Sequence, residues 1–394
     1  MSARSVYNRV QQLLSESVNT GVHQPTIKRL ALLVTGMIRA KSAAPARVAQ
    51  AAYELHLSQA DAESIERRLR RTENDAQVTV ELCLHPLARQ HLRLGQPHAL
   101  LLILDPTLQE DRAVMVAANV WYRGRSLPLA WTLWPANTPL EGAGFWQRVA
   151  ELLDQVATLL PVGVPVTWLA DRAFGTPAFT DLVVAHGWHY VVRSQGQTHY
   201  CDCLGREQEV QALVRQRTDR RKLRGWVFKK AGWRVASVVV YWGRRHNKPL
   251  CLVSDLPPQW HLIGLYRRRY PIEGTFRDYK SYGWQWEQGQ VSDLQHVQRL
   301  LVGMALATWL AMMVGTQVAA ERLAQPPTGR RRTRPWAGKY SLFQLGLQRL
   351  QQWLSGRFII QVAWRLTDWA APNWQAQITG HYARAFVFAN HAHG

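Results

Sequence analysis

Ala99-Leu100-Leu101-Leu102-Ile103-Leu104, closed by Asp105-Pro106-Thr107, is an unbroken apolar run with a carboxylate at its end. A run of this length without polar alternation reads as a central strand buried on both faces. An acid at the end of such a strand stands where a sheet meets a cleft. Downstream, residues 113–122 and 127–134 read as strands, joined tightly by Arg123-Gly124-Arg125. Three strands with short loops predict an antiparallel meander. Phe145, Val149, Leu152, Leu153, Val156 and Leu160 then trace an amphipathic helix.

Residues 165–170 form a fourth apolar run, ending at Asp171-Arg172-Ala173-Phe174-Gly175. A short helix follows over 176–187, with Thr176 as its cap and Pro177 in its first turn. Residues 189–193 read as a fifth strand. The order β-β-β-α-β-α-β is that of an RNase H-like domain, in which the first and fourth strands are neighbours. The expected fold is therefore α/β. A mixed five-stranded sheet with helices spans 96–195 plus 259–315, and Asp105 and Asp171 end adjacent strands.

The regions around this core differ in texture. Residues 1–95 read as helices, marked by Val6, Val10, Leu13 and Leu14, then by Ile27, Leu30, Leu32, Leu33 and Met37, then by 44–55. The run Glu66-Arg67-Arg68-Leu69-Arg70-Arg71 suits a helical DNA-binding domain with one helix in a major groove. The plainer alternative is a helical cap on the next domain. Residues 196–258 read as a β-rich insertion domain with strands at 233–242 and 249–255. Within it Arg220, Arg221, Lys222 and Arg224 lie beside Trp226 and Phe228, a mixture suited to phosphates and unstacked bases. A solvated twisted hairpin has the same composition. Residues 316–394 read as a basic linker at 325–335 and a helix through Leu342, Leu345, Leu347, Leu350 and Leu354. That helix can pack internally or against a second subunit.

Composition narrows the class. The chain has 394 residues and a formal net charge of +21. Such an excess favours a polyanionic partner, nucleic acid foremost. Ribosomal and membrane-surface proteins are also basic, but a long chain with 18 tryptophans and strand-like runs suits an enzyme acting on nucleic acid better. Four cysteines make no disulfide framework at this length, and Cys201-Asp202-Cys203 is too sparse for a zinc site. The N-terminus has no apolar signal segment, and the apolar stretch 300–314 is short for a membrane span. A soluble protein of the cytoplasm follows as the expectation, with no membrane partner.

The remaining landmark is Tyr266-Arg-Arg-Arg-Tyr-Pro-Ile-Glu-Gly-Thr-Phe-Arg-Asp-Tyr-Lys280. On one α-helix, Tyr266, Arg269, Glu273 and Lys280 fall within about 60° of each other. That face is polar where a core-facing stripe is apolar. A solvated basic helix with one salt bridge has the same pattern. Pro271 favours a helix start, which places 266–269 in a preceding turn. Singly, each acid also has an ordinary role: Asp105 can cap a turn before Pro106, and Asp171 can pair with Arg172. Together, Asp105, Asp171 and Glu273 offer the hard oxygen donors that Mg2+ takes, and two such ions about 4 Å apart serve phosphodiester cleavage.

At these residues the chain resembles the IS4-type DDE transposases. Tyr266-x2-Arg269-x3-Glu273-x6-Lys280 matches that family's signature in every spacing. Asp171-Arg-Ala-Phe-Gly-Thr176 is similar to the segment around its second aspartate, and Leu102-Ile-Leu-Asp105 to the first. A β-strand insertion between second aspartate and glutamate is shared, and the resemblance covers about 97–310. It implies that Asp105, Asp171 and Glu273 are catalytic and bind two Mg2+ ions, with Mn2+ able to substitute. It further implies that Arg269 and Lys280 hold phosphates at a transposon end and that Tyr266 contacts the DNA backbone there, with Arg172 a further DNA contact. The implied reaction is cut-and-paste transposition by a synaptic homodimer acting on double-stranded transposon ends and target DNA in a prokaryotic cytoplasm. Two departures stand out. Pro271 precedes the glutamate segment, and residues 248–255 lack the aromatic used in hairpin chemistry, leaving Trp242 or Trp260 for base wedging, with core packing the plainer role for each. A transposase-derived DNA-binding protein and an RNase H-like nuclease are the alternatives.

Overall fold

The computed structural model describes residues 3–18, 21–110, 112–138, 140, 142–289, 291, 293–324, 340–356 and 364–366. Five helices lead: α1 (Ala3–Ser17), α2 (Gln24–Ala40), α3 (Pro45–Glu54), α4 (Ala62–Glu73) and α5 (His85–Leu94). Pro25 and Pro45 occupy first-turn positions, where a missing N–H costs nothing. Asp61 caps α4 by accepting from the Ser64 amide at 2.7 Å. The exposed arginines of α4 are partly neutralised from within, by Arg67–Glu63 at 2.5 Å and Arg70–Glu66 at 2.7 Å.

The strands are β1 (Leu100–Gln109), β2 (Ala113–Tyr122), β3 (Arg125–Pro135), β4 (Val166–Ala170), β5 (His189–Arg193), β6 (His199–Cys201), β7 (Glu207–Glu209), β8 (Arg220–Val227), β9 (Arg234–Tyr241) and β10 (Leu250–Ser254). They join one ten-stranded sheet in the order β3-β2-β1-β4-β5-β10-β9-β8-β6-β7. The five strands expected from sequence form its first half, with the meander antiparallel and β1-β4-β5 parallel. Helices α6 (Gly142–Ala157) and α7 (Pro177–Ala185) supply the crossovers.

Three features differ from expectation. β1 does not end at Asp105: its antiparallel pairing with β2 runs on to Gln109 opposite Ala113, although β4 stops at Ala170 opposite Leu104. Pro106 therefore sits where β1 has lost one neighbour, a position that tolerates its missing N–H. The strands of 196–258 continue the same sheet, because β10 pairs antiparallel with β5 through Leu252 and Arg193. Thr176 precedes α7, but its hydroxyl makes no cap bond and is buried without a partner.

After the sheet come α8 (His261–Arg267), α9 (Pro271–Arg277), a π-helical turn at Asp278–Tyr282, α10 (Leu294–Ala324) and α11 (Leu342–Ser355). The stretch 294–314 extends ten residues further than read, so residue 315 falls inside α10. α10 is long and apolar enough by composition to cross a membrane, yet 89% of its most apolar window is buried within the protein. It is the core helix: Trp309 donates to the Pro128 carbonyl of β3 at 2.9 Å, and Arg299 reaches the Glu73 carbonyl at the end of α4. α11 lies against α10, where Gly315 and Gly346 let the two backbones touch; a Cβ on Gly346 would stand 1.7 Å from the Ala311 oxygen. The basic run 325–335 and the tail from 367 lie outside the described residues.

Candidate active site

Sheet register places the two aspartates. β1 and β4 run parallel with Leu104 opposite Ala170, so Asp105 and Asp171 are the next residues on adjacent chains. The Asp171 carboxylate accepts from the Ala173 amide at 2.8 Å, a local turn that fixes the loop after β4. Further along the loop, Gly175 passes so close to β5 that a Cβ would stand 2.2 Å from the Arg193 oxygen. Phe174 is fully buried between them, its ring beside those of Phe145, Trp146 and Phe179.

Glu273 and Arg269 arrive from the opposite side. The single helical face drawn through 266–280 is replaced by two seven-residue helices, α8 and α9, with Arg269 in the turn between them. Pro271 is the reason, since it opens α9 and has no N–H to continue α8. α9 is fastened to β3. Thr275 Oγ1 lies 2.8 Å from Ser126 Oγ, which also accepts from Asn119 Nδ2 at 3.0 Å. Arg125 forms a buried ion pair with Asp278 just beyond α9.

The turn brings a guanidinium between two acids. Arg269 Nη1 donates to Asp105 Oδ2 at 2.7 Å and Nη2 to Glu273 Oε1 at 2.8 Å. Asp105 and Arg269 are only 7% and 8% exposed, while the Glu273 side chain is 55% exposed. Burial pushes the Asp105 carboxyl up to about 7; Arg269 opposes this, and the charges of Asp171 and Glu273 add to it. Asp105, Asp171 and Glu273 thus share one electrostatic neighbourhood.

The other residues named from sequence are placed less uniformly. Tyr266 is buried (1% exposed), with Arg269 5.9 Å above its ring, and presents no surface to DNA in this arrangement. Lys280 lies beyond α9 and pairs with Glu287 at 3.4 Å. Trp242 donates to the His246 carbonyl at 2.9 Å within its own turn. Trp260 lies under Arg220, 5.0 Å from its ring centre. Arg172 opens onto a cleft of about 430 Å3 lined also by Arg193, Ser194, Gln195, Gln197 and Lys248. Ser194 Oγ is buried there without a partner. Sequence reading passed over Arg193 and Lys248; the available signal was that Arg193 ends the fifth strand beside Asp171. It also passed over the Arg125–Asp278 pair, whose members are 153 residues apart.

A divalent metal is implied by the resemblance, and the residues suit it in kind. Carboxylate oxygens are what Mg2+ takes, and two of the three acids are adjacent by register. The arrangement differs from a finished cage, because Asp105 Oδ2 is occupied by Arg269. Among the described residues no three His, Cys, Asp or Glu side chains are gathered closely enough to hold a metal ion.

Comparison with known proteins bears on this region. No curated protein matches the chain. Among solved structures, a piggyBac transposase synaptic complex with hairpin DNA is similar at 11% identity, covering 91% of this chain and 83% of that one with a TM-score of 0.42. Human ENDOV is similar at 12% identity over 50% of this chain and 97% of that one, with a TM-score of 0.27. At such scores neither likeness carries the argument. The fold itself is mixed α/β, one large mixed sheet with helices. Residues 141–310, which include Asp171, Arg269, Glu273 and Lys280, match the family model of the transposase DDE domain.

Proposed function

We propose that the protein is a DNA transposase of the IS4 type, cutting and joining DNA at Asp105, Asp171 and Glu273. The observation that carries this reading is that Asp105 and Asp171 follow paired register positions of β1 and β4 while Arg269 links Asp105 to Glu273 on α9, with Asp171 and Glu273 inside the matched DDE domain. Asp105 lies outside that match, and its assignment rests on sheet register. Mg2+, or Mn2+ in its place, would be held as a pair of ions by these carboxylates. When bound, the ions would lower the pKa of a water or a 3′-hydroxyl and stabilise the leaving oxygen.

The chain's own residues supply the rest. Arg172, Arg193 and Lys248 line a cleft beside Asp171 that suits the backbone of a DNA strand, and Lys280 offers a further cation. Arg269 is within reach of both the acids and an incoming phosphate. The excess of positive charge draws duplex DNA to the surface. The active form is a homodimer on paired transposon ends in a prokaryotic cytoplasm.

The test is nicking of a supercoiled plasmid carrying the DNA that flanks the gene, with Mg2+, by wild type and by Asp171→Asn. Cleavage by wild type alone, followed by joining of a pre-cut end to target DNA, is the expected result. Equal nicking by Asp171→Asn would remove the assignment. Binding without cleavage in either protein points instead to a transposase-derived DNA-binding protein, and cleavage without joining to a nuclease.

A further inference from the structure

We infer that Arg269 is the resident counter-ion of the acid site, so that divalent metal loads only as a DNA phosphate draws the guanidinium away. This rests on the proposed metal-binding role of Asp105, Asp171 and Glu273. The guanidinium stands between the carboxylates of β1 and α9, one Nη on each at 2.7 and 2.8 Å. Charge-assisted bonds of this kind are among the strongest a carboxylate can make. A guanidinium is also weakly hydrated and tolerates burial better than an ammonium. A metal ion that needs the same Asp105 oxygen must therefore displace Arg269 as well as shed its own water.

The displaced side chain needs somewhere to go. An unpaired buried cation is costly, so Arg269 leaves Asp105 and Glu273 only for another anion. Its Nε is already buried without a hydrogen-bond partner, so its present seat leaves that donor unused. A phosphate offers several acceptor oxygens to the same planar fork. Exchange of partners, from carboxylates to phosphate, frees the acid oxygens and neutralises the phosphate in one step. Because the coupling is a free energy between two sites, it works both ways: DNA raises metal affinity, and metal raises DNA affinity by the same factor.

The test measures Mn2+ binding to the full chain without DNA, by the loss of the free-ion resonance in electron paramagnetic titration. Wild type is compared with Arg269→Gln, Arg269→Lys and the double variant Arg269→Gln/Asp105→Asn, each checked for native circular dichroism. The expected result is at least tenfold tighter Mn2+ binding by Arg269→Gln than by wild type, abolished in the double variant. Should Arg269→Gln fail to fold, Arg269→Lys carries the test: one ammonium cannot hold both carboxylates as the fork does, so affinity again rises above wild type. Binding of Mn2+ that depends on Asp105 but is equal in wild type and the Arg269 variants overturns the counter-ion role and leaves the metal site standing. Absence of Asp105-dependent binding in every protein, with or without a 30-base-pair duplex, overturns the metal site and this inference together.

Discussion

Gly175→Ala tests how the Asp171 loop is held. The added Cβ would stand 2.2 Å from the Arg193 oxygen, 3.0 Å from Ser194 Cα and 3.1 Å from the Arg193 carbonyl carbon. All three are backbone atoms. Ordinary contact begins at 3.4 Å, so the two segments must part by about 1.2 Å. β5 is the less able to move, since it is paired on both sides and Ser194 donates to the Cys251 oxygen at 2.9 Å. The loop yields instead, and Phe174 and Asp171 yield with it. Overpacking of this kind costs about 1–3 kcal/mol in stability. A catalytic group moved by about 1 Å loses on the order of 100-fold in rate. The assay is single-turnover nicking of the flanking-sequence plasmid in Mg2+, beside a urea unfolding curve. Gly264→Ala in α8 is the control: nothing lies within 4 Å of its added Cβ, so the rate should hold and the helix should gain about 0.5–1 kcal/mol. Wild-type rate in a Gly175→Ala protein that unfolds like wild type would refute the claim that this close approach sets Asp171.

Gly346→Ala should force α11 off α10, because its Cβ meets the Ala311 oxygen at 1.7 Å and the Gly315 nitrogen at 2.7 Å. A loss of about 3 kcal/mol or more in urea unfolding, with new protease sensitivity in 342–355, is expected; an unchanged midpoint contradicts the packing. Asp278→Ala strands the buried Arg125 and should cost about 3–5 kcal/mol in urea unfolding, whereas the double variant Arg125→Met/Asp278→Leu should recover most of it. Burial holds the His85 imidazole down at about 4, against 6.5 when exposed, so the unfolded chain takes up the proton first. His85 thus costs no stability above pH 6.5 and costs progressively more as pH falls toward 4, reaching about 3 kcal/mol. Urea unfolding of wild type and His85→Gln at pH 7 and about 4.5 should show a smaller pH loss in the variant, and equal losses would remove His85 as the cause.

What could be read from sequence followed local pattern. The apolar runs at β1, β2, β4 and β5 were legible because strands buried on both faces carry few polar residues. β8 was not, since Arg220, Arg221, Lys222 and Arg224 put charge on both faces and hid its alternation. β1 reads as stopping at Asp105 because Pro-Thr suggests a turn; its continuation depends on β2, a partner that local pattern does not name. The same limit hid the β5–β10 pairing, which makes the insertion strands an extension of the first sheet. At the site, the adjacency of the strands that carry Asp105 and lead to Asp171 could be read from topology. The partner of Arg269 could not, because a guanidinium's choice between a phosphate and a carboxylate is made by what lies opposite it in space.

The way each acid is held bears on the exchange proposed for Arg269. Asp105 is fixed by strand register, where a one-residue slip would turn every side chain to the other face, and Asp171 by the loop after β4, held by its bond from the Ala173 amide and by the close approach of Gly175 to β5. Glu273 sits on a helix of only seven residues, too short to be stable alone. That helix is nonetheless tied to β3 through Thr275 and Ser126 and, just past its end, through Asp278 and Arg125. All of these ties lie on the C-terminal side of Pro271. Arg269 lies on the other side, in a turn held by the Arg269 amide to the Tyr266 oxygen at 2.9 Å and the Tyr270 amide to the Arg267 oxygen at 3.3 Å. Its long side chain can change partner by rotation about its own bonds while α9 stays on the sheet. The three acids are thus held by elements that need not move when the guanidinium does, which is the property a site must have if its counter-ion is to be traded for metal without being rebuilt.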